Sequence, residues 1–325
     1  MRRSRAKSCC PRCDAGRSCE KLKSRKVEIA ANSPLTSVIV VAADSGDDLG
    51  RCIEHVLAGS APVEVLVSDN ASSDGSVEAA AARWADDARL RIVRNGVNLG
   101  FGAGCNRAAE LARGDALLLL NPDCLLDGDA LARLCAHLAS DPAIGLLGAS
   151  IVSPDGCPEP ASRRRDPTLR RALMSLSGLA RLAPRHPGLA GIELPPRDTA
   201  PPLQDVDAVS GALMLLPRRV FERLGGFDEG YFLHCEDLDL CRRVRDAGLR
   251  VACANDVRVV HGKGSSSRRR PFFVARHKHR GMWRWFAKFD PAARNPLLRV
   301  VVWCGLWAHF ALAAPRYAWT LLRGR

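Results

Sequence analysis

Short, uninterrupted apolar runs alternate along this chain with longer stretches whose apolar positions recur every three or four residues. Thr36 to Ala43, Val63 to Ser68, Leu90 to Val93 and Ala116 to Leu120 are β-branched or leucine-rich and predict strands. Residues 47–58, 75–85, 101–113 and 127–140 lie around and between them and predict helices. Strands that are apolar on both faces, separated by helices, imply an α/β fold: a mostly parallel central sheet with helices on both faces. In such sheets ligands bind beyond the carboxyl ends of the strands, so the polar clusters that follow each strand carry the functional interest.

The alternation breaks at residues 154–205, which are rich in Pro, Gly and Arg and predict an inserted mobile segment with a short helix near 168–182. Order resumes at Val206 to Leu216. Helices follow at Pro217 to Leu224 and Cys235 to Ala247, then strands at 249–254 and 257–261. The division expected is a basic arm at 1–34, a catalytic body at 35–265 and a helical tail at 266–325.

Charge sharpens that division. The chain has 325 residues and a formal charge of +13. Residues 1–26 carry +8, residues 27–262 carry −8 and residues 263–325 carry +13. An acidic body with basic ends points to an anionic surface met by the tails. Thirteen cysteines, many within apolar runs, suit buried thiols in a reducing compartment and hence the cytoplasm. Cys10 and Cys13 form a single CxxC without a second half, which reads as part of a basic arm rather than a zinc site. No apolar secretion-signal core interrupts the Lys and Arg that recur through residue 26.

Four strand ends carry candidate chemistry. Asp69, Asn70 and Asp74 lead into a helix, where they serve either as caps or, for Asp69, as an acceptor for ribose or base. The run from Asn95 to Asn106, including Asn98 and Phe101, spaces its glycines G-F-G-A-G. That fits neither the dinucleotide fingerprint nor the P-loop, yet leaves backbone that a diphosphate or sugar can approach closely. Asn121-Pro122-Asp123 places a carboxylate behind a rigid proline; it is either a turn residue or a ligand for Mg²⁺ or Mn²⁺. Glu236, Asp237 and Asp239 open a helix, either as acids favoured by its dipole or as the setting of a proton acceptor. His261, before a glycine-rich turn, is either structural or a second metal ligand.

In this order, together with Ser210-Gly211-Ala212 and Gly226-Phe227-Asp228-Glu229, these motifs resemble the inverting GT-A glycosyltransferases of family 2, most closely the rhamnosyltransferase-like branch of cell-surface polysaccharide synthesis. The resemblance covers about residues 36–265. It implies a nucleoside diphosphate sugar held by Asp69 and Asn70, with Asp74, Asn98 and Phe101 lining the nucleotide pocket and Asn121 beside it. Asp123 matches the second acid of the DxD-type metal motif, and His261 a position able to reach the metal. Asp237 falls on the position of the catalytic base, supported by Glu236, and Ser210 and Gly211 border sugar and acceptor. One departure stands out: Ala42-Ala43-Asp44-Ser45 replaces the family's Thr-Tyr-Asn type sequence that meets the base.

The implied acceptor is a lipid-linked saccharide or polysaccharide, and the implied sugar is rhamnose. A sugar nucleotidylyltransferase would need a basic, glycine-rich triphosphate loop, which Ala42 to Asp48 does not supply. A nucleic-acid-binding protein is disfavoured by the acidic body and the lack of an aromatic-interleaved RNA motif. The arginines from Arg163 to Arg171 read either as contacts to an anionic acceptor or as a solvated insertion. In the tail, Met282, Trp285, Phe286 and Phe289 recur at helical spacing among cations. This predicts an amphipathic helix that lies on an anionic membrane surface or packs on the body. Val300 to Ala314 is nearly uncharged but, at about 1.5 Å per residue, reaches only about 22 Å, short of the roughly 30 Å hydrocarbon core. Peripheral attachment at the inner face of the cell membrane follows.

Overall fold

A computed structural model describes residues 34–182, 187–194, 200–262 and 270–323. The N-terminal arm with Cys10 and Cys13 lies outside the described residues. Eleven strands occur among them: β1 (Thr36–Ala42), β2 (Val63–Asp69), β3 (Leu90–Arg94), β4 (Ala116–Leu120), β5 (Cys124–Leu126), β6 (Ile144–Val152), β7 (Arg163–Arg164), β8 (Leu203–Asp205), β9 (Ala208–Val209), β10 (Leu213–Pro217) and β11 (Arg250–His261). The helices are α1 (Asp47–Leu57), α2 (Ser76–Arg83), α3 (Phe101–Ala109), α4 (Ala130–Ser140), α5 (Leu169–Leu176), α6 (Leu179–Leu182), α7 (Arg218–Arg223), α8 (Glu236–Asp246), α9 (Pro271–Phe289) and α10 (Pro296–Arg323).

The main sheet runs β3-β2-β1-β4-β10-β6-β11-β5, with β8 added on β11. Strands β1 to β4 are mutually parallel, as are β6 and β11, while β10 lies antiparallel between β4 and β6. The sheet is therefore mostly parallel and covered on both faces. Successive β1 residues show it: Val38, Val40 and Ala42 join the apolar cluster under α1, α2 and α4, while Ile39 and Val41 join the cluster under α3, α7 and α8. Each such buried side chain contributes about 1.5–3 kcal/mol. The nine described cysteines are all free thiols, six of them buried.

The run Val206 to Leu216 forms two strands, because Ser210 to Ala212 turn between β9 and β10. Two elements differ from the sequence expectation. The two strands expected at 249–261 are one strand, β11, whose register on β6 shifts between Ala254 and Arg258. Strand β6 is a central strand that the pattern did not predict. Its Gly148 lies where a Cβ would come within 2.6 Å of Val209, so glycine is needed for β9 to pack there.

The tail forms two helices. Helix α9 packs on the body through Trp285, which is buried, with Met282 and Phe289 beside it. Arg284 and Lys288 reach Asp228, and Lys288 also reaches Asp239 at 2.6 Å. Helix α10 lies along α9: Phe272 meets Tyr317, His279 meets Phe310, and Arg299 sits over Trp283. Its 28 residues span about 42 Å. The apolar span Pro296–Trp319 has mean hydropathy 1.7. The 15-residue length limit is thus overturned, because the helix continues through Pro315 and Arg316, and length alone would allow it to cross a bilayer.

Candidate functional site

The candidate residues gather at the carboxyl ends of the parallel strands in three sectors. In the first, β4 ends in a tight turn: Asn121 N donates to Ala212 O at 3.0 Å and Cys124 N to Asn121 O at 3.1 Å. Antiparallel pairing of β5 with β11 sets Cys124 opposite His261. This brings His261 Nε2 to 3.2 Å from Asp123 Oδ1, while His261 Nδ1 lies 3.3 Å from Glu159 Oε2. Burial alone would lower the pKa of His261; Asp123, joined by Glu159, outweighs it and holds the imidazole above its ordinary value.

Potential ligand atoms of Asp123, Cys124 and His261 lie within 4.8 Å of one another. Cys124 is committed elsewhere: its thiol donates to Ala212 O, and burial, then the charge of Asp123, pushes its pKa well up. Carboxylate and imidazole remain, a donor pair that fits a divalent cation such as Mn²⁺ or Mg²⁺. Glu159, on the far ring nitrogen, fixes the imidazole's orientation as carboxylates behind ligating histidines do.

In the second sector, α8 opens with acids that its dipole favours. Asp237 Oδ2 accepts from Arg164 Nη2 at 2.5 Å and from Gly211 N at 3.0 Å, and Oδ1 accepts from Leu238 N at 2.8 Å. Burial would raise Asp237; Arg164 and the two amides reverse that and hold it below the usual carboxylate range. Glu236 goes the other way, raised to about 8 by burial and by the charge of Asp237. The two carboxyls are thus pushed in opposite directions, Asp237 toward the ionised form and Glu236 toward the protonated one. A Cβ on Gly211 would come within 3.2 Å of Asp237 Cβ, which explains a glycine beside Ser210. Ser210 Oγ accepts from Ala212 N and shapes that turn. Among the described residues, Glu236 Oε2, Arg164 Nε and His234 Nε2 are buried without a hydrogen-bond partner. Such atoms suit a hydroxyl-rich ligand that supplies the missing partners.

The third sector is more self-contained. Asp69 Oδ1 accepts from Ser72 N at 2.8 Å and Oδ2 from Arg94 at 3.1 Å. Asn70 Nδ2 donates to Gly100 O at 2.9 Å and to Asn98 Oδ1 at 3.3 Å. Asn98 Oδ1 also accepts from Gly100 N. Asp74 accepts from Gly46 N at 2.7 Å and from Ser76, so it ties the turn after β1 to the start of α2. Asp44, in the stretch that departs from the family pattern, takes φ 54° and accepts from Ser73. Phe101 N donates to Phe232 O at 3.0 Å, and the Phe101 ring meets Phe227 edge-on at 5.8 Å. The glycine-rich turn is thereby joined to the loop before α8.

Glu159 and His234 had no role in the sequence expectation, and Arg164 entered it only as part of the Arg163 to Arg171 run. The only signals were the flanking prolines of Glu159 and the Arg163-Arg164-Arg165 run. Those arginines are not a solvated face. Arg163 is buried and bonded to Asn255, Arg165 donates to Gly191 O and Glu193 O, and Arg171 pairs with Asp207 at 2.9 Å.

The sequence model of Glycosyl transferase family 2 matches residues 37–192. An N-acetylglucosaminyl-diphospho-decaprenol L-rhamnosyltransferase of Mycobacterium tuberculosis is 31% identical over 288 residues, spanning 80% of this chain and 92% of that protein. The rhamnosyltransferase WbbL of Escherichia coli is 43% identical over 56 residues, 17% of this chain and 21% of that protein. Among solved structures, a mannosyltransferase of Pyrobaculum calidifontis in complex with GDP-Man and Mn²⁺ superposes with TM-score 0.55 at 22% identity, covering 90% of this chain and 74% of that one. GalNAc-T7 with UDP, GalNAc and Mn²⁺ gives 0.56 at 18%, covering 71% of this chain and 43% of that one. The shared architecture is the GT-A fold.

Proposed function

The chain belongs to glycosyl transferase family 2 and is an inverting hexosyltransferase; from that premise we propose that it moves rhamnose from a nucleoside diphosphate sugar to a lipid-linked saccharide acceptor in cell-surface polysaccharide synthesis. Residues 35–265 are its catalytic body, and residues 266–325 attach it to the membrane. The observation that carries the reading is the junction between two sectors. Asn121 N bonds Ala212 O, and the adjoining Gly211 N bonds Asp237 Oδ2. Two hydrogen bonds and one peptide link thus connect the Asp123 turn to the Asp237 carboxylate. The likeness to the mycobacterial and E. coli rhamnosyltransferases supports the sugar, and the former's name supports a diphospho-lipid acceptor.

Asp69 and Asn70 hold the walls of the nucleotide pocket, with Asp74, Asn98, Phe101 and Asn121 setting their loops. Asp123 and His261 hold a divalent cation, Mn²⁺ or Mg²⁺, whose charge, once bound, offsets that of the departing diphosphate. Asp237, ionised and buried, takes the proton of the acceptor hydroxyl. Glu236, protonated beside it, donates a hydrogen bond to a sugar oxygen. Ser210 and Gly211 border the space between.

The tail supports attachment to the inner face of the cell membrane. Helix α10 exposes Leu297, Val300, Val301, Trp303, Leu312 and Trp319, while α9 beside it is basic. Because α10 lies along α9, and α9 is fastened to the body by Trp285 and Asp228, the pair rests in the plane of an anionic surface. Cations there contribute about 1 kcal/mol each. In flotation with anionic vesicles, the full chain carrying Leu297→Glu, Val301→Glu and Leu312→Glu is expected to stay at the bottom of the gradient; unchanged flotation refutes the tail's role.

The deciding experiment for the chemistry measures diphosphate release with a panel of UDP-, dTDP- and GDP-sugars, with and without Mn²⁺. The expectation is one preferred dTDP- or UDP-deoxyhexose and metal dependence. Asp237→Asn is expected to lose at least about a hundredfold in turnover with donor binding retained; near-normal transfer would remove Asp237 from its role.

A further inference from the structure

We propose that Arg164 is the positioning residue of the acceptor-side base: its guanidinium clamps the Asp237 carboxylate against Gly211 and keeps the negative charge there rather than on Glu236. The inference rests on Asp237 being the base. Arg164 owes its place to a two-residue strand: β7 pairs with β9, with Arg164 opposite Ala208. From there Nη2 donates both to Val209 O and to Asp237 Oδ2, so one planar group joins the strand preceding Ser210-Gly211 to the head of α8. The Arg164 side chain is 16% exposed and that of Asp237 12%, so neither charge is screened by bulk water.

The hydrogen-bond count gives the clamp its meaning. An ionised carboxylate offers about four acceptor positions. Arg164 and Gly211 N occupy Oδ2, and Leu238 N takes one position on Oδ1. The remaining position is on Oδ1, which fixes where an incoming hydroxyl must present its proton. In the reaction the acceptor O–H bond breaks and its proton passes to Oδ1. The freed oxygen pair forms the new bond to the anomeric carbon, and the old bond's pair leaves with the diphosphate.

Other charges around Asp237 do not substitute for Arg164. Glu236 on the same helix competes for the single negative charge. Cys235 and Cys241 face the site as thiols, pushed up by burial, Cys241 to about 12. His234, lowered to about 4 by burial and then Lys278, stays neutral. The cations within range are Lys278 from α9, Arg245 of α8, which is engaged by Asp166 and Asp207 O, and Arg164, which alone touches the carboxylate.

The test is the pH dependence of transfer in Arg164→Gln and Arg164→Lys, with Asp237→Asn alongside. Asp237 must be ionised to act, and removing the adjacent cation raises its pKa by about one unit or more. Arg164→Gln is therefore expected to move the acid limb of kcat/KM upward by at least about one pH unit, with activity recovering as pH rises. Arg164→Lys is expected to restore most of the limb. A loss of rate equal at every pH, with the limb unmoved, would overturn the inference, because a merely structural arginine gives that result. If Arg164→Gln does not fold, Arg164→Met, which keeps the apolar stem without the charge, takes its place: an acid limb moved upward by about one pH unit supports the clamp, and an unmoved limb overturns it. Full transfer by Asp237→Asn would instead sink the assignment of the base itself, so the two failures are distinguishable.

Discussion

On the proposed nucleotide side of the site, Asp69, Asn70, Asp74 and Asn98 direct their polar atoms largely to partners 30 residues away or fewer. On the catalytic side, the pairings cross the chain: Arg164 to Asp237 spans 73 residues and Glu159 to His261 spans 102. The first side is a scaffold whose own bonds hold it in shape. The second holds like charges together in a buried place, and leaves Glu236 Oε2, Arg164 Nε and His234 Nε2 without partners among the described residues. The former spends its hydrogen bonds on its own shape and the latter holds the buried charge, as expected when one part shapes a pocket and another does chemistry.

The sharpest way to break that contrast is Asp123→Ala. In the proposed site Asp123 holds the cation that offsets the leaving diphosphate, so its loss forfeits several kcal/mol of charge stabilisation and turnover is expected to fall about a thousandfold. Thermal stability should change little, because the lost carboxylate leaves His261 still paired with Glu159. Asp74→Ala is the control on the other side, costing about 1 kcal/mol of stability and far less turnover. Turnover losses of similar size in both variants would erase the distinction.

A smaller effect is expected at the seam between the sides. Gly100 has φ 88° and ψ 177°, a conformation that only glycine adopts without strain, and an added Cβ would meet Phe232 O at 2.3 Å. Both are backbone constraints, and neither can relax by turning a side chain. Gly100→Ala is expected to cost about 3 kcal/mol in denaturant unfolding. It should also weaken donor binding and transfer together, because Phe101 and the loop before α8 move as one. A stability loss below about 1 kcal/mol would mean the two sides are not joined there.

The same contrast explains what the sequence made legible. Strands β1 to β4 and helices α1 to α4 follow from uninterrupted apolar runs and a 3.6-residue period, both of which are local, so their order and the carboxyl-end motifs were readable. Asp69, Asp123, Asp237 and His261 announce themselves by standing directly after strands or at a helix start. Strand β6 was not readable, because Gly145, Gly148 and Ser150 dilute its apolar run. Its glycines answer to Val244, Leu249 and Val209, partners fixed only by tertiary packing. Arg164 and Glu159 were hidden for a related reason: no local period marks a two-residue strand or a proline-flanked acid, and only the folded sheet brings them to the site. The apolar length of α10 was underread because Pro315 and Arg316 look like a terminus, although the helix continues through them.

The smallest expected effect concerns how the tail is fastened to the catalytic side. Asp228 accepts from Arg284 at 2.7 Å and from Lys288 at 2.8 Å. Its side chain is 16% exposed, against 45% for Arg284. Burial would raise its pKa, but the two cations outweigh that and hold it well below its ordinary 3.8. A carboxyl depressed in the folded state stabilises the fold at pH above its unfolded value and loses that contribution as pH falls toward the folded one. Asp228→Asn should therefore cost about 1.5 kcal/mol at neutral pH, between the worth of an exposed pair and that of a buried one. The gap between wild type and variant should begin to narrow as pH falls below about 4, where the unfolded carboxyl protonates, and should go on shrinking toward the much lower pKa of the folded state. High salt should shrink the gap as well, because Arg284 is half in water. A gap that persists unchanged at low pH would shift the anchoring of α9 from these charges to the contacts of Trp285, Met282 and Phe289, and the tail would then be held by packing alone.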